Sequence, residues 1–121
     1  MALDISAITF DCANAATLAQ FWSSALGRSI DPGQEENGTY FASIGRADPT
    51  PGEPVLMFIQ VPEGKTAKNR VHLDLNASDR ATEVERLVGL GAQVVHDKDE
   101  WGVRWTTLID PEGNEFCVAA H

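Results

Sequence analysis

One order of periodicities occurs twice in this chain and limits what it can fold into. Residues 5–12 form a β-rich run in which Ile8, Phe10 and Cys12 alternate with Ala7, Thr9 and Asp11. Asn14 then offers an N-cap, Leu18, Phe21, Trp22 and Ala25 follow at helical spacing, and Gly27 ends the helix. The same sequence of signals returns in 70–91. Val71, Leu73 and Leu75 alternate with His72, Asp74 and Asn76, Ser78 or Asp79 caps a helix, Ala81, Val84, Leu87 and Val88 form its apolar stripe, and Leu90-Gly91 closes it. Leu26-Gly27-Arg28-Ser29-Ile30 is echoed by Leu90-Gly91-Ala92-Gln93-Val94.

Three strands are expected after each helix. In the first half they are 28–30, 39–44 and 55–61, separated by the turn-rich stretch 31–38 and the proline-rich loop 47–54. In the second half they are 93–96, 103–109 and 116–119, the last preceded by the strong turn Asp110-Pro111-Glu112-Gly113-Asn114. A single strand–helix–strand–strand–strand module would leave a sheet face and open edges exposed. Two can curl their sheets around a shared interior. The expected class is therefore α+β: one domain, 1–121, of two tandem βαβββ modules, about 1–66 and 67–121. A curved mixed sheet would surround a cavity, with the helices outside. A chain of 121 residues can bury one such core.

The alternation assigns faces. Ile8, Phe10, Leu73 and Leu75 are expected under the helices, so Thr9, Asp11, His72 and Asp74 point to the concave side. Polar side chains are costly there unless wet, paired or bound to a ligand.

Composition excludes several function classes. A net charge of −9 repels phosphate backbones and anionic lipid, which argues against nucleic acid and membrane partners. The start, Met1-Ala2-Leu3-Asp4, has neither the basic nor the apolar region of a signal peptide, and the apolar run 55–59 is too short to span a bilayer. The two cysteines, Cys12 and Cys117, then read as thiols of a reducing compartment, and the expected location is the cytoplasm. No Walker loop, dinucleotide-binding glycine pattern or nucleophile elbow is present.

Several stretches resemble the glyoxalase-like branch of the vicinal-oxygen-chelate superfamily. They are Ile8-Thr9-Phe10-Asp11-Cys12, the helix with Phe21-Trp22 and Leu26-Gly27, Lys68-Asn69-Arg70-Val71-His72-Leu73-Asp74-Leu75, Leu90-Gly91-Ala92, and Asp110-Pro111-Glu112-Gly113-Asn114-Glu115-Phe116-Cys117. The likeness covers nearly the whole chain. It is specific for the superfamily and much less so for any one of its reactions, which include those of glyoxalase I, extradiol dioxygenases, epimerases and fosfomycin resistance proteins, beside bleomycin sequestration.

The resemblance implies four inward metal-ligand positions, two per module. His72, seven residues before Asp79, fits one. The equivalent place before Asn14 holds Ala7, which cannot ligate. The position three after Asn114 holds Cys117 rather than Glu, and the fourth falls at or near Gln60. Mg²⁺ and Mn²⁺ want carboxylates, and for zinc this set is incomplete, so no metal cofactor is expected.

Each candidate residue has two readings. His72 is either a hydrogen-bonded histidine held by Asp74 or a general acid/base, a role for which imidazole is suited near neutral pH. Cys117 is a buried filler or a reactive thiol, the latter if a cation such as His72 stands beside it. Asp11 and Asp74 are cavity carboxylates or partners of arginines such as Arg70 and Arg104. Trp22 belongs to the core, whereas Trp101, in a polar loop beside Gly102, and Trp105, on a strand, either pack or stack on a flat ligand. The basic stretch Lys65-Thr66-Ala67-Lys68-Asn69-Arg70 either attracts an anionic ligand at the cavity rim or ties the modules together, the structural role being favoured.

Two functions remain open at this level. One is a metal-free binding protein for a flat or hydrophobic small molecule, with Thr9, Asp11, Gln60, Trp101, Trp105 and Cys117 as ligand contacts. The other is a glyoxalase-type lyase or isomerase in which His72 and Asp74 are catalytic, with or without a metal. The resemblance implies a homodimer.

Overall fold

The computed structural model describes residues 2–120. They form two compact units, one reaching to Gly64 and the other starting at Lys65.

The first unit contains β1 (Ala7–Cys12), α1 (Ala15–Leu26), a 3-10 turn (Glu35–Asn37), β2 (Phe41–Ile44) and β3 (Val55–Gln60). The sheet order is β1-β3-β2, with β1 parallel and β2 antiparallel to β3. Helix α1 starts where Asn14 accepts from the Thr17 amide and stops where Gly27 turns left-handed at φ 65. It covers one sheet face. Trp22 and Leu18 are fully buried, Trp22 meets Phe21 edge-on, and Phe10 lies 5.6 Å from Trp22 and 5.2 Å from Phe58. Thr9 and Asp11 are exposed on the opposite face of β1, as the alternation requires.

The expected strand at 28–30 is reduced to a single bridge, Ile30 to Ile44. Two side chains account for this. Asp31 is buried and accepts from the Ser43 hydroxyl and the Arg46 and Ala47 amides, which folds the chain back on itself. Arg28 tucks its guanidinium over Gly45 and donates to the Pro54 carbonyl at 2.7 Å. A β-carbon at Gly45 would lie 2.2 Å from Arg28 Nη2, and the residue sits at φ 90. Gly45→Ala is therefore expected to cost ~2–4 kcal/mol, combining left-handed strain with loss of the Arg28 contact. Urea denaturation measures it; a loss under about 0.5 kcal/mol would mean that the loop rearranges freely.

The second unit contains β4 (Leu73–Asn76), α2 (Arg80–Leu90), β5 (Gln93–Glu100), β6 (Val103–Ile109) and β7 (Glu115–Ala119). Its order is β4-β7-β6-β5, with β4 parallel to β7 and the other pairs antiparallel. With Ile30 counted as the reduced second strand, the first unit has the same order. The class is α+β with two modules, each helix outside its sheet.

Helix α2 departs from the expected stripe. Asp79 caps it and Gly91 ends it, but only Leu87 is buried, Val84 is half-buried, Ala81 is exposed and Val88 is 46% exposed. Polar contacts replace part of that stripe. The Arg80 guanidinium donates to Thr106 on β6 and to Asp97 on β5, and the Thr106 hydroxyl also bonds Asp97. Val71, read as part of the alternating strand, lies before β4 and is 79% exposed. Leu73 and Leu75 are half-buried on the helix side.

The connector is fastened to the β6–β7 turn. Lys65 Nζ pairs with Glu115 at 2.9 Å, the Asn69 amide donates to Glu115, and the Asn69 side chain bonds Asn114. Within the turn, Asp110 accepts from the Glu112 and Asn114 amides, and Gly113 takes φ 87.

Candidate functional site

The second unit gathers five of the predicted site residues on the sheet face away from α2. Parallel pairing of β4 with β7 sets Asp74 directly beside Cys117, and β6 places Thr107 on the other side of Cys117. His72 stands two residues before Asp74, just ahead of β4 rather than within it. Its Nε2 lies 3.5 Å from Asp74 Oδ1. One donor atom each from His72, Asp74 and Cys117 lie within 4.8 Å of one another.

The reactive-thiol reading of Cys117 is not supported. Burial pushes the thiol above its ordinary value, and the nearby Asp74 carboxylate adds to the rise. The Thr107 hydroxyl, 3.3 Å from the sulfur, and the charge of Lys68 oppose it without reversing it. At neutral pH the sulfur is a thiol, not the thiolate that attacks or alkylates fast. Alkylation by iodoacetamide slower than that of a free cysteine is therefore expected at pH 7.5; a faster reaction would contradict this environment.

Asp74 is not paired with Arg104, as one reading had it. Arg104 bonds Asp97 at 3.4 Å instead. Asp74 keeps an exposed carboxylate whose ionic neighbour is His72.

Beside this group the β5–β6 hairpin carries two parallel indoles. Trp101 and Trp105 have ring centroids 5.9 Å apart and an interplanar angle of 9°. Trp105 is half-buried on β6, whereas Trp101 is 87% exposed at the hairpin tip. The tip is the pair Trp101-Gly102, at φ 54 and φ 76. Two successive positive φ values are the pattern of a tight type I′ turn, which favours Asn-Gly or Gly-Gly. Trp101 is the one non-glycine residue with positive φ among the described residues. Such a conformation costs about 1–2 kcal/mol for a bulky side chain.

An open pocket of about 280 Å³ lies along the indoles, lined by Asp74, Leu75, Trp101, Val103, Trp105, Cys117 and Ala119. A second, of about 310 Å³, shares Asp74, Trp105 and Cys117 with the first and adds Lys68, His72, His96, Thr107 and Glu115. Thr107 and His96 were not singled out in the sequence, whereas Lys68 was named in its basic stretch. The alternation of β6 from Trp105 to Thr107 is the signal that would have found Thr107.

The remaining predicted contacts lie in the first unit. Thr9 and Asp11 share the exposed face of β1. Gln60 ends β3, where its amide nitrogen donates to the Ala13 carbonyl and the Thr39 hydroxyl, each at 2.9 Å.

The residues present do not fit the superfamily's four-ligand metal shell. Ala7 carries no donor atom. His72, Asp74 and Cys117 offer one imidazole, one carboxylate and one thiol, a set too short of oxygen for Mg²⁺ or Mn²⁺ and, for zinc, three ligands with the fourth position open.

A family profile for the glyoxalase-like domain matches residues 7–119. No curated protein matches the chain. Among solved structures, a glyoxalase/bleomycin resistance protein/dioxygenase family enzyme from Burkholderia phytofirmans superposes with a TM-score of 0.74 at 14% identity, covering 98% of each chain. The fosfomycin resistance protein of Mesorhizobium loti gives 0.71 at 13% identity, over 100% of this chain and 94% of its own. The bleomycin-binding protein of Streptomyces verticillus, in complex with copper(II)-bleomycin, gives 0.63 at 16%, over 100% and 98%. At these identities the likeness is one of fold. Among the described residues, no helix is long and apolar enough to cross a membrane.

Proposed function

We propose, from the premise that this chain belongs to the glyoxalase-like domain family, that it is a binding protein for a small, flat, hydrophobic molecule, held against Trp101 and Trp105 without need of a metal. The observation that carries this reading is the parallel indole pair beside an apolar pocket, with one indole exposed on a strained backbone. An exposed tryptophan where asparagine or glycine would be cheaper is a local sacrifice of stability, and such sacrifices cluster at ligand sites. At 5.9 Å between centroids the rings leave no room for a third ring between them, so a ligand stacks on the open side of the pair. The pocket, near the lower end of the roughly 300–1,000 Å³ usual for ligand sites, suits a molecule of a few fused rings.

The test uses Trp101→Asn, which suits the turn. Stability in urea should stay the same or rise by up to ~1 kcal/mol, while affinity for a planar aromatic probe such as acridone falls at least tenfold. Unchanged affinity would remove Trp101 from the site.

A second reading, an enzyme of the lyase or isomerase kind, is favoured by the contact between His72 Nε2 and Asp74 Oδ1. In it Asp74 orients the imidazole, and His72 moves a proton on a bound substrate. Under this reading His72→Ala abolishes turnover and leaves binding intact. Under the first it alters affinity by only a few-fold. We further propose a cytoplasmic location, suggested by two cysteines read as free thiols, and a homodimer, suggested by analogy with the superfamily.

A further inference from the structure

The pocket along the indoles has seven lining residues, and Asp74 is the one charged side chain among them. Its carboxylate is 66% exposed, and its ionic neighbour is an imidazole at 3.5 Å rather than a lysine or arginine. Glu115, which lines the adjoining pocket, is paired with Lys65 at 2.9 Å, and Asp97, on the helix side of β5, is held by Arg80 and Arg104. Lys68 and His96 line the adjoining pocket, which shares Asp74, Trp105 and Cys117 with this one. The site thus combines two indole faces, which attract cations through their ring quadrupoles, with one carboxylate whose ion-pair neighbour is an imidazole rather than a lysine or arginine. The chain's net charge of −9 raises the local concentration of cations and lowers that of anions.

We infer that the ligand class is a planar heteroaromatic cation, with its rings on Trp101 and Trp105 and its positive charge, or a charged N–H, directed at Asp74. This rests on the ligand-binding reading above and adds the charge of the ligand to it. An uncharged ring system would leave Asp74 a bystander, and an anionic one would meet its exposed carboxylate.

The test compares three probes of one ring size by tryptophan quenching: proflavine, a planar cation at neutral pH; acridone, neutral; and acridine-9-carboxylate, anionic. Proflavine is expected to bind at least tenfold more tightly than acridone, and the anion more weakly than both. In Asp74→Asn the proflavine preference should fall to about twofold while acridone affinity holds. Glu85→Gln, an exposed charge removed from α2, controls for net charge and should leave the preference in place. Equal binding of proflavine and acridone, or a preference lost as readily in Glu85→Gln as in Asp74→Asn, overturns the inference and leaves the ligand-binding reading standing. If none of the three probes binds, that reading fails and the inference with it.

Discussion

Trp22→Ala is expected to destabilise the protein by ~3–5 kcal/mol, whereas the tip residue Trp101 can be truncated with little loss of stability. The two indoles have the same chemistry and opposite environments. Trp22 is fully buried under α1, with Phe21 edge-on to it and Phe10 tilted against it. Removing it deletes a large apolar side chain and leaves a void that the aromatic neighbours, fixed by β1 and β3, cannot close. Trp101 is 87% exposed, and its truncation empties no core. Urea denaturation of both variants separates these outcomes. A Trp22→Ala loss below about 1 kcal/mol would mean that α1 is not seated on the sheet as described.

The second large effect is at Asp31. Asp31→Ala is expected to cost ~2–4 kcal/mol at pH 7, because it removes at once the acceptor of the Ser43 hydroxyl and of the Arg46 and Ala47 amides. Burial alone would raise this carboxyl. The bonds from Ser43, Ala47 and Arg46, with the charge of Arg46, outweigh burial and hold it below its ordinary value. A carboxyl lowered on folding contributes stability that is fully present above the unfolded value of about 3.9 and is lost as pH falls through the folded value. The wild-type advantage over Asp31→Ala should therefore be constant from pH 7 down to about pH 5 and shrink below pH 4. An advantage that grew on acidification would contradict the hydrogen-bonded carboxylate.

How much of this was legible in the sequence depends on how local the cause was. The caps Asn14 and Asp79 and the stops Gly27 and Gly91 act over one helical turn, and each stands where the sequence placed it. Asp110-Pro111-Glu112-Gly113-Asn114 forms the turn its residues dictate. By contrast, β5 was read as 93–96 and runs to Glu100. Its extension, His96-Asp97-Lys98-Asp99-Glu100, is polar on both faces, so it lacks the alternation by which a half-buried strand is recognised. It forms because β6 supplies its ladder up to the Glu100–Val103 pair, a cause outside its own sequence. The bridge at Ile30 is the converse case: a local β pattern overridden by Asp31 binding residues twelve or more positions away.

The site follows the same rule. Alternation gave the faces of Thr9, Asp11 and Asp74. It could not say that β4 would lie beside β7, and that pairing is what joins His72 and Asp74 to Cys117. The stacking of Trp101 on Trp105 depends on a two-residue turn with Trp at a position that usually takes Asn, so the sequence offered a loop where the structure has a hairpin tip.

The central claim is that a flat ligand meets Trp101 and Trp105. Three tryptophans give three indole N–H signals in a proton–nitrogen correlation spectrum, assignable by single substitution. On titration with proflavine, the Trp101 and Trp105 signals should shift progressively and saturate together while the buried Trp22 signal stays in place. A shift confined to Trp22, or no saturable shift at either hairpin indole, would contradict the account.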